Sequence, residues 1–114
     1  MEVEKEIRWM GSAYNDLLAF PAEPRRQAGF QLGKVQAGLE PDDWKPFDDV
    51  GTGTREIRIR ESNGAYRVMD LAKFEEAVYV LHCFQTKSQA TNKQDKNIAE
   101  ARYRVIAGAR KTAK

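Results

Sequence analysis

One cysteine, one histidine and a net charge of only +2 narrow the reading of this 114-residue chain before any motif is considered. Cys83 alone cannot close an internal disulfide, so a reducing cytoplasm is the expected setting. With His82 as the single histidine, and no HExxH or paired CxxC, there is no ligand set for zinc, and neither metal nor cofactor is expected. No apolar run approaches the roughly 18 residues that a membrane span needs. The opening Met1-Glu2-Val3-Glu4-Lys5-Glu6 lacks the apolar centre of a signal peptide. The 19 basic and 17 acidic residues nearly cancel. A polyanion partner would therefore have to be read from where charge is placed, because the total does not imply one.

What is present is a globular composition, 41% hydrophobic and 32% charged, in a length that fits one domain over residues 1–114. Residues 5–9 alternate as a short edge strand, with Ile7 and Trp9 on one side. Ser12 is placed to cap a helix over 13–20 that Pro21 stops. Pro24 suits the first turn of a second helix. In that helix Ala28, Leu32, Val35 and Leu39 form a core-facing stripe, ended by Gly38 and Pro41. Residues 40–53 form an acidic loop with room for a short strand near Phe47. Thr54–Arg60, Tyr66–Leu71 and Ala77–Lys87 then read as three strand-like segments. Thr91-Asn92-Lys93-Gln94 matches a capping box for a last helix whose apolar stripe is Ile98, Ala101, Val105 and Ala109. The basic tail, 107–114, is expected to fray. The order βαα, antiparallel meander, helix is an α+β fold.

The first two strands of the meander are joined by Asn63-Gly64, the strongest short hairpin signal. With those two as turn residues, Glu61 faces Tyr66 and Arg60 faces Arg67. Side chains alternate along a strand, so Arg58 shares their face and Tyr66 does not. Like charges directly opposite on a sheet are destabilising, and a fold that keeps such a pair is expected to use it for an anion. The alternative is a sheet that turns one polar face to water. Guanidinium forks suit phosphate oxygens at any relevant pH.

Other candidates are weaker. His82 alternates with Val80 and Phe84 and reads as a buried structural histidine. Cys83 points to the opposite face and has no visible partner as a nucleophile. Gly51-Thr52-Gly53-Thr54 precedes a strand, so no helix N-terminus is offered to a phosphate. Among the aromatic residues that could stack on bases, Tyr103 lies off the last helix's apolar stripe and is the one expected to be exposed.

Glu56-Ile57-Arg58, Tyr66-Arg67-Val68 and Leu81-His82-Cys83-Phe84-Gln85-Thr86-Lys87, followed by a helix carrying Ala99 and Ala101, resemble the RelE/HigB group of bacterial and phage-borne toxins. The likeness runs from Lys5 to about Ile106. It implies a twisted, mostly antiparallel sheet with two helices on one side, and metal-independent cleavage of messenger RNA on the ribosome. In that reaction the RNA 2′-hydroxyl attacks the adjacent phosphorus, and the 5′-oxygen leaves with a proton. Taken with the arginine face, the resemblance makes Arg58, Arg67 and Lys87 the catalytic candidates and Arg60 an RNA contact; Gln85 and the off-stripe Tyr103 are further RNA-contact candidates. It also implies a cognate antitoxin, commonly a small helix-turn-helix DNA-binding protein. One departure stands out: Thr86 occupies a position that is basic in similar toxins, leaving only Lys87. Two other classes remain open, a ParE-like DNA gyrase poison and a non-catalytic phage or toxin remnant that only binds protein.

Overall fold

The computed structural model describes residues 4–62, 64–87 and 90–112, with residue 112 in its backbone only. The elements run β1 (Glu6–Trp9), α1 (Ala13–Leu18), α2 (Ala22–Gln36), β2 (Trp44–Pro46), β3 (Thr54–Glu61), β4 (Gly64–Leu71), β5 (Ala77–Thr86) and α3 (Lys93–Thr112). One sheet has strand order β1-β5-β4-β3-β2. The β2–β3, β3–β4 and β4–β5 pairs are antiparallel, and β1 lies parallel to β5. This is the α+β arrangement expected from the order of elements. No described helix is long and apolar enough to cross a membrane.

Both faces of the sheet are covered, which is why its central strands are buried along most of their length. On one face Ile57, Ile59, Tyr66, Val68, Val78, Val80 and Cys83 pack against Ala13, Leu17 and Phe20 of the α1 segment and Ala28, Leu32 and Val35 of α2. On the other face Met69, Leu71, Tyr79, Leu81 and Phe84 pack against Ala99 and Ile106 of α3. Leu39 drops out of the α2 stripe and is 58% exposed. The helix ends at Gln36, and Gly38 turns the chain at φ +83°. Ser12 takes the N-cap position of α1, but its side chain makes no capping hydrogen bond. Its hydroxyl donates to Asp16 Oδ2 at 2.7 Å instead.

α3 is rotated from the expected orientation. Ala99 and Ile106 point inward, whereas Ala101 is exposed and Val105 is 61% exposed. Arg102 occupies the inward face between them, donating to the Leu81 carbonyl at 2.9 Å. The expected stripe counted only apolar residues. The observed one mixes alanine and isoleucine with polar anchors. The cap also moves by one residue, because Asp95 N–H donates to Asn92 Oδ1 at 2.8 Å. The helix runs past Gly108 to Thr112. Arg110 pairs with Glu76 and lies 3.5 Å from the centre of the Phe74 ring. Residues 113 and 114 lie outside the described residues.

Beneath α2, Asp70 is fully buried with Arg55 Nη2 3.2 Å from Oδ2. Burial pushes its carboxyl up, and the Arg55 charge only partly opposes this. A folded-state value above the unfolded one means that Asp70 favours folding in its protonated form. That contribution is complete below about pH 4 and is lost as pH rises through the folded value. Asp70→Asn should remove this slope. In urea melts the variant should gain on the wild type between pH 4 and pH 7, ending more stable by on the order of 1 kcal/mol. A variant that is less stable at pH 7 would mean that the ionised pair with Arg55 is a net benefit.

Candidate functional site: a cationic cleft on the sheet

The β3–β4 register differs by two residues from the expected one. Glu61 pairs with Gly64, Arg60 with Ala65 and Arg58 with Arg67. Gly64 therefore belongs to β4 instead of the expected Asn63-Gly64 turn, and Asn63 lies outside the described residues. Gly64 opens β4 at φ +138°, a conformation that L side chains rarely adopt. A slip of two preserves faces, so Arg58, Arg60 and Arg67 still share one face and Tyr66 is buried on the other. The directly opposed like charges are Arg58 and Arg67.

Cross-strand rows organise the α3 face. Glu56, Met69 and His82 form one row, Arg58, Arg67 and Phe84 the next, and Arg60, Ala65 and Thr86 the last. A bulge at the Met69/Asp70 step brings His82 into this set. Asp70 pairs with Val80 and Met69 with His82, so Leu81 is the extra residue. Strict alternation would have left His82 beside Val80. Instead Val80 stays with the α1–α2 core, and the His82 ring stacks on Phe84 at 5.0 Å. His82 is buried, as expected, and its Nε2 lies 2.7 Å from Asp95 Oδ1 in the first turn of α3.

Glu56 is fully buried within the arginine pair. Arg67 Nη1 donates to Glu56 Oε1 at 2.9 Å, and Arg58 Nε lies 3.6 Å from the same oxygen. Thr91 donates to Glu56 Oε2 at 2.5 Å and accepts from Arg67 Nη1 at 3.3 Å. Thr91 is thus drawn out of the helix cap, and Asn92 takes its place there. The repulsion between opposed arginines is relieved in part from inside the fold. Sequence reasoning passed over Glu56, Thr91 and Asp95. A glutamate alternating with two arginines on one strand face was the available signal.

The open end of these rows is a cleft of about 240 Å³ lined by Arg58, Arg60, Glu61, Gly64, Ala65, Arg67, Thr86 and Lys87. Four of its side chains are cationic and one is a carboxylate. Their exposures differ. Arg67 is 3% exposed and forms the inner wall. Arg58 is partly exposed. Arg60 is mostly exposed and pairs with Asp43 Oδ2 at 3.3 Å. Lys87 is exposed, and among the described residues it makes no ion pair.

Two candidates lie elsewhere. Gln85 pairs with Tyr66 on the α1–α2 side and lines a separate groove with Asp16 and Phe20. Tyr103 is not an exposed ring. Its hydroxyl donates to the Thr52 carbonyl at 2.7 Å, and its ring packs so closely on Gly51 that a Cβ there would come within 2.3 Å. It clamps the Gly51–Gly53 lead-in to β3. Cys83 is buried, and that burial pushes its thiol up, so the reactive thiolate is suppressed.

A sheet with two helices on one face, a closing helix on the other and a cationic cleft at the open end of the strands is a RelE-like α+β fold. The family model described as Phage derived protein Gp49-like (DUF891) matches residues 15–104. The chain belongs to that family, a family of RelE/toxin-like proteins. No curated protein matched the chain.

Proposed function

We propose that this protein is the toxin of a toxin–antitoxin pair of the RelE/HigB type, and that it cleaves messenger RNA on the ribosome. The observation that carries this reading is the convergence of Arg58, Arg60, Arg67 and Lys87 on one cleft. Family membership supports it. In the proposed reaction the phosphate lies between Arg58 and Arg67, whose forks neutralise the charge that develops as the 2′-hydroxyl attacks phosphorus. Arg60, at the mouth, holds the neighbouring backbone. Lys87 sits at the rim with donor protons available to the leaving 5′-oxygen, while the proton of the attacking 2′-hydroxyl passes to water. The partner is an antitoxin that covers this face. What such a partner would meet there is the exposed charge of Arg60 and Lys87.

Thr86 lines the cleft where similar toxins carry a basic residue, and this favours a second reading as a protein-binding remnant. Pulse labelling after induction separates the possibilities. Early loss of amino-acid incorporation with DNA synthesis intact is expected. Early loss of DNA synthesis with strand breaks would point to gyrase, and unimpaired growth at high expression would point to the remnant.

A further inference from the structure

Glu56 presents a physical puzzle. Burying a carboxylate with its cations is expensive, and replacing such a group with well-packed apolar residues is often neutral or stabilising. Stability alone is therefore a poor reason for a fully buried glutamate on β3. Its contacts indicate another. Both oxygens are used, and they reach three elements: Arg58 on its own strand, Arg67 on β4 and Thr91 at the start of α3. A long cationic side chain free to rotate loses rotamer entropy when it is fixed, a cost that falls on whatever ligand fixes it. Here one guanidinium is fixed in advance on Oε1 and Thr91 Oγ1, and a second lies against the same oxygen.

We infer that Glu56 is a positioning residue. Its buried carboxylate holds the Arg58 and Arg67 guanidinium groups in the orientation the cleft offers to a phosphate. It also ties Thr91, two residues before α3, to Arg67. This rests on the cleft being the phosphate site proposed above. Neutralisation alone predicts the opposite result. If Glu56 only damped the positive charge, its removal would strengthen anion binding and leave or raise the rate. If it positions, removal leaves binding unchanged or tighter while the chemical step slows, because misplacement of about 1 Å is enough to cost up to 100-fold.

The experiment compares wild type, Glu56→Gln and Thr91→Val by three readouts on the full chain. These are thermal melts, kcat and KM for a defined message on programmed ribosomes, and NMR of arginine Nε–Hε groups during titration with inorganic phosphate. Glu56→Gln keeps the shape and removes the charge. The expected result is a folded variant with KM and phosphate affinity unchanged or improved and kcat lower by about tenfold or more. The resolved Nε–Hε signals of Arg58 and Arg67 should collapse toward averaged positions. Thr91→Val should shift kcat and those signals the same way by a few-fold, and it decides the matter if Glu56→Gln does not fold. A folded Glu56→Gln with kcat within about twofold of wild type and intact arginine signals would overturn the inference. If the wild type cleaves no RNA, the proposed function fails by itself. The arginine signals then decide on positioning: collapse in Glu56→Gln supports it, and persistence ends it.

Discussion

Arg67→Ala should cost this protein about 3–5 kcal/mol of stability, a large share of the roughly 5–15 kcal/mol typical of a small domain. Arg67 is 3% exposed and its partner Glu56 is 0% exposed. Removing one member of a buried pair strands the other, and water does not readily reach the stranded carboxylate. Two groups soften the loss. Thr91 still donates to Oε2, and Arg58 Nε remains 3.6 Å from Oε1. The value should therefore fall toward the lower end. Removing both charges, in Glu56→Gln with Arg67→Met, should restore most of the stability while abolishing any phosphate binding that needs the fork. Urea unfolding of Glu56→Gln, Arg67→Met and the double closes the cycle, and a coupling of at least about 2 kcal/mol is expected. A folded Arg67→Ala that loses less than about 1 kcal/mol would show that Glu56 is solvated once Arg67 is gone. One practical consequence follows: inactivity of Arg67→Ala is not by itself a measure of catalysis.

The parts of the fold written in local pattern were legible. Alternation identified the meander, Pro and Gly bounded the helices, and face parity put Arg58, Arg60 and Arg67 together. Parity survived the two-residue register slip because a slip of two leaves every side chain on its face. The pairing itself was not legible, since it depends on Glu61 meeting Gly64. The misread features share a cause. The bulge at Leu81 moves His82 to the α3 face, and nothing in Val80-Leu81-His82 announces it. α3 turns Ala99, Arg102 and Ile106 inward because Asp95 and Arg102 find partners on β5, His82 and the Leu81 carbonyl. Thr91 leaves the cap because Glu56, 35 residues away, competes for its hydroxyl. Tyr103 is held by Gly51 and Thr52 from across the chain. Each is a long-range polar or close-packing choice overriding a local preference.

Arg58→Ala is the cleaner probe of the cleft, and it should lower kcat/KM for messenger cleavage about 30- to 900-fold. That is the roughly 2–4 kcal/mol lost when one donor to a developing oxyanion is removed, at 1.36 kcal/mol per decade. The Arg58 side chain is 21% exposed, and its contact with Glu56, at 3.6 Å, is too long for a hydrogen bond. Its deletion leaves the Glu56, Arg67 and Thr91 triangle intact, so the melt should stay within about 1 kcal/mol of wild type. The backbone bond from Arg58 N–H to the Asp43 carbonyl at 2.8 Å is also untouched. Arg58→Lys should recover only part of the rate, because lysine keeps the charge and loses the fork. Arg60→Ala supplies the contrast. That side chain is 67% exposed and already shared with Asp43, so its loss should raise KM a few-fold, leave kcat nearly unchanged and reduce the salt dependence of binding. The assay is single-turnover cleavage on programmed ribosomes, with each variant's melt measured alongside. A well-folded Arg58→Ala that cleaves at the wild-type rate would place the phosphate away from the β3–β4 rows. The cationic cleft would then be a docking surface for the ribosome or the partner protein.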